Sequence, residues 1–380
     1  MSFVFTEDQL MVQKLAREIA QNSFKPLAQE LDQTGRFPKE NMQLLVDAGL
    51  MGLNVPEEYG GSAMDEVCKV LAIEEVAKGC ASTAEFFAVH LLVNNIINTN
   101  GNEEQKQKYL TMACEGKLGA FALTEPNAGS DAAGVKTKAV RDGDDYIING
   151  TKCFISNMGP DEGDYVVVIV LTDPEKKTRG MTAFLIDRDT LGFSVGKTEN
   201  KMGMTAASVS EIIFDNCRVP ASAMLGKEGE GFKIAMSGLD SGRVGIAAQA
   251  CGVAEGALEA AIEYSSQRIQ FGKPINANQG IQWYLADMAT KLEASKLLTL
   301  NAANARDTGN PDASKYCSMA KYYAAESAIW IVHKALQIHG GYGYMKEYDI
   351  ERMYRDVRII ALYEGTSEVQ KMVISKALLK

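Results

Sequence analysis

Leu123-Thr-Glu-Pro-Asn-Ala-Gly-Ser-Asp131 ends a short apolar approach, Phe121-Ala122, in a hydroxyl, a proline, a glycine and a serine. A strand that stops in this way forms a rigid turn with exposed backbone N–H groups and hydroxyl donors. Such a turn can hydrogen-bond the carbonyls of a flat heterocycle or a phosphate, although Pro-x-x-Gly-Ser taken alone equally describes an ordinary turn. The segments that follow are β-type. Tyr146-Ile-Ile, Phe154-Ile, Tyr165–Leu171, Thr182–Ile186 and Val209–Phe214 are short runs, punctuated by Asn149-Gly150, Thr172-Asp-Pro174, Arg179-Gly180 and Asp215-Asn216. Turns about every ten residues without helices between them imply an antiparallel sandwich or barrel, not a βαβ array.

On both sides the period becomes helical. Upstream, Thr6-Glu7-Asp8-Gln9 has the form of a capping box. Leu10, Val12, Leu15, Ile19 and Phe24 then recur at helical spacing. Gly60-Gly61 interrupts the pattern, Val67–Ala77 and Phe86–Ile97 resume it, and Asn102-Glu-Glu-Gln105 opens another helix. Downstream, Ile246, Ala250, Val253, Ala257, Ala261 and Tyr264 form a continuous seam. A helix from Gly231 to Arg268 would reach about 60 Å at 1.5 Å per residue. Gly245, Ala248, Gly252 and Gly256 thin it so that neighbours can approach. Asn278–Arg306, Ala313–Ile338 and Ser367–Leu379 complete the set. This order predicts an α+β protein: an N-terminal all-α domain (1–116), a middle antiparallel β-sandwich or barrel (117–225) and a C-terminal four-helix bundle (226–380). Bundle helices of this length hint at assembly between subunits.

Composition removes several function classes. The 380 residues carry 39 Lys+Arg against 49 Asp+Glu, a net charge of −10, which argues against nucleic acid or an anionic membrane as the main partner. The longest apolar run, Tyr165–Leu171, is far short of the roughly 20 residues that cross a bilayer. The start has no basic region followed by an apolar stretch, so no secretory leader is expected. Cys68, Cys80, Cys114, Cys153, Cys217, Cys251 and Cys317 are odd in number and widely spaced, which predicts no disulfide framework and a cytoplasmic location. His90, His333 and His339 lack metal-ligand spacing, so no metal is expected.

The Leu123–Asp131 string resembles the flavin-binding signature of the acyl-CoA dehydrogenase family, and the likeness runs nearly end to end. Lys152-Cys-Phe-Ile-Ser-Asn157 resembles the family's second flavin strand, and Lys201-Met-Gly203 with Phe214-Asp-Asn-Cys-Arg-Val-Pro220 resembles the end of its β domain. Gln267–Pro274, Gln337–Tyr344 and Arg355–Arg358 resemble its C-terminal motifs, and Tyr363-Glu-Gly-Thr-Ser-Glu368 its catalytic segment. The resemblance implies FAD as cofactor. Phe121, Leu123, Thr124, Gly129 and Ser130 would hold the flavin from the first turn, and Phe154, Ile155 and Ser156 from the second strand. Arg268, Gln270 and Phe271, with Asn278 and Gln279 nearby, would reach across a subunit interface to the FAD pyrophosphate. Gln337, Ile338, Gly340 and Gly341 would approach its adenosine part, and Thr366 and Glu368 complete the expected flavin set. A homotetramer, a dimer of dimers, is implied with them.

Glu364 lies between the apolar Ile359–Tyr363 and a flexible Gly365. Burial there would raise its pKa, which suits a base that removes a weakly acidic proton near neutral pH; alone, a capping or surface glutamate is the simpler reading. In the family the matching residue takes the α-proton of an acyl thioester while a hydride leaves the β-carbon for the flavin. Ser130, Asp240, Arg243, Tyr363 and Gly365 are then implied as substrate contacts, Asp240 and Arg243 also being read as an i,i+3 ion pair. The implied activity is that of an FAD-dependent acyl-CoA dehydrogenase or 2-enoyl-CoA reductase, on a short-chain acyl-CoA, exchanging electrons with an electron-transferring flavoprotein. Phe86, Phe87, Leu91, Asn95 and Ile96 stand where short-chain members carry smaller residues, and Ala207 and Val209 replace the usual Ser and Thr. The alternative is a reductase of an aromatic (cinnamoyl or caffeoyl) enoyl-CoA working with a bifurcating electron-transferring flavoprotein. An acyl-CoA-binding module lacking the base is disfavoured by Glu364.

Overall fold

Thr6 starts the first helix by the expected reciprocal cap: its Oγ1 accepts from the Gln9 amide (3.2 Å) and its own N–H donates to Gln9 Oε1 (3.0 Å). The computed structural model describes residues 4–379; Met1–Phe3, where the leader reading begins, and Lys380 lie outside the described residues. The N-terminal helices are α1 (Glu7–Ile19), α2 (Lys25–Thr34), α3 (Lys39–Asp47), α4 (Glu66–Gly79), α5 (Ala81–Asn100) and α6 (Glu103–Cys114). Asn102 and Gln105 cap α6 with the same reciprocal pair. α4 and α5 are buried along most of their surface, so neither has the one-sided pattern of a surface helix.

The middle section is one eight-stranded sheet: β1 (Gly119–Ala122), β2 (Lys138–Asp142), β3 (Asp145–Ser156), β4 (Tyr165–Leu171), β5 (Met181–Asp187), β6 (Phe193–Thr198), β7 (Val209–Pro220) and β8 (Met224–Leu225). Its pairings are antiparallel except at β4, where β1 and the start of β2 run parallel to it. The purely antiparallel expectation is therefore corrected to a mixed sheet. The β2–β3 excursion separates β1 from β4, so the chain returns to β4 in the direction it left β1. β4 explains its own sequence. Val166, Val168 and Val170 face the core between the arms of the sheet, while Val167 and Ile169 face α5 and α6. A strand covered on both faces reads as a continuous apolar run.

The C-terminal section comprises α7 (Gly231–Gln267), a small hairpin of β9 (Ile269–Gln270) and β10 (Lys273–Pro274), α8 (Gln279–Asp307), α9 (Ala313–His339), α10 (Asp349–Asp356) and α11 (Ser367–Leu378). α7 packs on α8, α9 and α4, and α11 lies on α9. The α4 crossing depends on a missing side chain. A Cβ on Gly252 would sit 2.1 Å from the Glu74 carbonyl oxygen and 2.8 Å from Ala77 Cβ. Gly252→Ala is accordingly expected to destabilise the fold by about 1–3 kcal/mol, the usual penalty of overpacking. Gly280→Ala, with nothing within 4 Å of the added carbon, should cost nothing in the same urea titration. Among the described residues, no helix is long and apolar enough to cross a membrane.

Candidate active site

The Leu123–Asp131 turn is tied down by a lysine of the next strand pair. Lys152, wholly buried on β3, donates to the Leu123 carbonyl (3.0 Å) and to Glu125 Oε1 (2.8 Å). Glu125 also accepts from the amides of Lys136 (2.7 Å) and Thr137 (2.9 Å). Burial pushes the Glu125 carboxyl up, but Lys152 and the two amides outweigh it and hold it below the ordinary value. The Thr124 carbonyl accepts from Cys153 N–H (3.0 Å), which locks the first turn to the second flavin-like strand. Gly129 and Ser130 are exposed at the tip, and a Cβ on Gly129 would meet nothing within 4 Å.

Along the second strand the side chains part company. Ile155 is buried in the sheet core, and Leu123 likewise packs in a core, so both have only backbone to offer a ligand. Phe154, by contrast, is 64% exposed, and its φ of 58° turns the ring out of the sheet. Ser156 Oγ donates to Glu85 Oε1 (2.8 Å), whose carboxyl is raised by burial against the opposing pull of Lys201 and Ser156. Phe121 is half-buried on β1.

Glu364 follows the short helical turn after α10. Its Oε2 is buried without a hydrogen-bond partner, and it lies against Gly242 of α7, where an added Cβ would come within 2.5 Å of it. Burial raises the carboxyl to about 7, against the pull of Arg243 and Lys321. Arg243 is itself bound to Asp240 (2.6 Å), the i,i+3 pair read from the sequence. Tyr363 donates its hydroxyl to Gln249 Oε1, and Gln249 Nε2 donates to the Ala81 carbonyl at the start of α5 (3.0 Å). α5 thus links the Glu364 segment to Ser156 through Glu85. Thr366 caps α11, its Oγ1 accepting from Val369 N–H (3.3 Å), and Glu368 is exposed in that first turn. The Lys201–Gly203 segment packs on α10. A Cβ on Gly203 would lie 2.5 Å from Arg355 backbone, and Arg355 is held by Asp32 and Glu351.

A second group assembles at the far end of α7. Arg268, Gln270, Ile338, Gly340 and Gly341 line a cavity of about 470 Å³ with Tyr264 and Tyr342. Gly340, with φ of 59°, terminates α9, so the C-cap reading and the cavity-lining reading describe the same residue. Phe271 is 98% exposed on the hairpin, Gln279 and Gln337 are exposed nearby, and Asn278 Nδ2 donates to the Ile275 carbonyl (3.0 Å). Arg268 follows Gly242 by roughly 39 Å of α7, at 1.5 Å per residue. One chain therefore does not bring the Arg268 group and Glu364 together.

Sequence reading missed Gly242, Gln249, Gln370 and Lys321 as parts of this site. Only Lys321 carried a local signal: it interrupts the small-residue seam Cys317, Ala320, Ala324 and Ala328 of α9. The residues present fit a flavin. Phe154 offers an exposed aromatic ring, and the turn braced by Lys152 carries an open glycine at its tip.

Family models for the acyl-CoA dehydrogenase N-terminal, middle and C-terminal domains match residues 6–117, 120–217 and 229–379. The acryloyl-CoA reductase (NADH) of Anaerotignum propionicum is 49% identical, over 100% of this chain and 96% of its own length. The caffeyl-CoA reductase-Etf complex subunit CarC of Acetobacterium woodii is 46% identical over 99% of each. The solved butyryl-CoA dehydrogenase of Megasphaera elsdenii superposes with a TM-score of 0.97 at 43% identity, covering 100% of both chains.

Proposed function

This chain belongs to the acyl-CoA dehydrogenase family, and from that premise we propose that Glu364 is the base of an FAD-dependent acyl-CoA dehydrogenase and 2-enoyl-CoA reductase. The observation that carries this reading is the unpartnered Glu364 Oε2, buried in the notch at Gly242. A buried carboxylate without a hydrogen bond is costly unless it has a proton to take. When bound, FAD would supply the acceptor for the hydride, which carries both electrons away from the β-carbon. Glu364 takes the α-proton in the oxidative direction and returns it in the reductive one. Arg243 and Lys321 favour its ionised form, while burial keeps that form basic. Arg243, next to Gly242 on α7 and paired with Asp240 one turn back, is suited to the polar part of the thioester ligand. The Lys152–Glu125 pair keeps the Leu123–Asp131 turn rigid, and Phe154 offers a ring to stack against the flavin.

The separation of Arg268 from Gly242 supports a cofactor site built from two copies of the chain, within a homotetramer arranged as a dimer of dimers. An electron-transferring flavoprotein is the proposed electron partner, in keeping with the Etf complex named for the A. woodii relative. Seven unpaired cysteines suit a reducing cytoplasm.

The proposed substrate is a short-chain acyl-CoA. A second reading, an aromatic enoyl-CoA with a bifurcating electron-transferring flavoprotein, is favoured by the 46% identity to the caffeyl-CoA reductase-Etf complex subunit of A. woodii. Anaerobic titration with butyryl-CoA should bleach the purified yellow protein, and reoxidation by crotonyl-CoA should outpace that by cinnamoyl-CoA. The reverse preference selects the aromatic substrate, and no bleaching by any thioester overturns the redox function.

A further inference from the structure

Glu364 and Gly365 both lie in the left-handed region, with φ of 52° and 88°. For a glutamate this conformation costs on the order of 1–3 kcal/mol and persists only where its surroundings over-determine it. Two wholly buried side chains do so here. Lys321 Nζ, from α9, donates to the Gly365 carbonyl (2.7 Å). Gln370 Nε2, from α11, donates to the same carbonyl (2.9 Å) and to that of Glu364 (3.0 Å). Gly365 is also required by the clamp itself, because a Cβ there would come within 2.7 Å of Gln370 Nε2.

We propose that Lys321 is the positioning residue of the base: it fixes the left-handed turn through the Gly365 carbonyl and provides the buried positive charge against which the Glu364 carboxylate forms. This rests on the assignment of Glu364 above and extends it. A lysine within an apolar helix seam loses its hydration, and burial accordingly lowers Lys321 to about 8, against the pull of Glu364. A neutral donor could make the same hydrogen bond at far lower cost, so the charge is the feature that needs a purpose. The other groups facing the pair are Arg243 from α7, which is bound to Asp240, and Tyr363, which is kept un-ionised by burial. Glu326 on α9 and Glu368 on α11 also face Lys321; Glu326 accepts from Ser367 Oγ (2.5 Å). Because Arg243 and Lys321 are engaged elsewhere, both act on Glu364 through the protein interior and leave its Oε2 free for the proton.

The test uses the flavin-loaded protein and follows the pH midpoint of bleaching by butyryl-CoA, expected at about 7 in the parent. Lys321→Met should move that midpoint up by a unit or more, a tenfold smaller ionised fraction well below it. Lys321→Arg should hold the midpoint within a few tenths. Lys321→Gln, which keeps a donor but no charge, should move it as Met does and covers the case in which the Met variant does not fold. A slower reaction with an unmoved midpoint in both neutral variants would mean a merely structural lysine and would overturn the proposal. A second readout needs no turnover: as pH rises the Glu364 form loses melting temperature relative to Glu364→Gln until the folded pKa of Glu364 is passed, and the pH at which that difference levels off should rise when Lys321→Met is added to both. Rapid bleaching retained by Glu364→Gln alone would overturn the assignment of the base, and the melting curves would still report whether Lys321 governs the titration of Glu364.

Discussion

Glu364→Gln is expected to leave the fold and bound flavin unchanged and to slow anaerobic bleaching by butyryl-CoA at least roughly 10²–10⁴-fold, the usual contribution of a positioned general base. Glutamine has the same shape and fits the Gly242 notch, but it cannot take a proton. In the parent, the rate should rise with pH through a midpoint of about 7, because only the ionised carboxyl acts and burial raises it from an ordinary value of 4.5. The same shift dictates a stability signature. A carboxyl whose folded pKa lies above its unfolded one binds more protons when folded, so its contribution is full below about pH 4.5 and is lost as pH rises through about 7. Glutamine has no such titration. Its melting temperature relative to the parent should therefore climb between pH 5 and pH 8; a flat difference would show that Glu364 is not held in a desolvated site.

Lys152→Met is expected to be the most destabilising single change in the cofactor cradle, by about 3 kcal/mol or more at neutral pH. Removing one partner of a buried pair leaves the other charge uncompensated. Here that charge is Glu125, which would retain only the Lys136 and Thr137 amides. The sign of the pH dependence follows from the depressed carboxyl of the parent. Glu125 contributes stability above its unfolded pKa that is lost as pH falls through its folded one. Without Lys152 the folded pKa rises, so the deficit against the parent should be largest near pH 7.5 and shrink toward pH 5. Adding Glu125→Gln should recover much of it. Because Lys152 also holds the Leu123 carbonyl, a contact that the double variant lacks as well, the double should still release flavin at lower urea than the parent. Equal deficits at both pH values in urea titrations would argue that Lys152 acts through packing alone.

The short-range features were legible in the sequence because they are decided within a few residues. The Thr6 and Asn102 caps, the reach of α7 and the breaks at Asn149-Gly150 and Arg179-Gly180 follow from local hydrogen bonding, hydrophobic period and turn chemistry. β1, β2 and β6 were harder to see, being short or half-exposed, and the parallel pairing of β1 with β4 has no local signal at all. Resemblance led to Glu364, and the local sequence explained only why a carboxyl beside Ile359–Tyr363 would be desolvated.

What surrounds that carboxyl was decided by tertiary structure. Neither Gly242 nor Gln370 stood out in the sequence. Lys321 is 44 residues from the carbonyl it holds. Local pattern was enough for the helices, the longer strands and most of the turns between them. Only the crossing of α7 and α9 and the docking of α11 decided that a notch, a cation and an amide converge on one glutamate. The physical reason is range: propensity and capping act along the chain, whereas a buried charge is governed by whatever packing brings within a few ångströms of it.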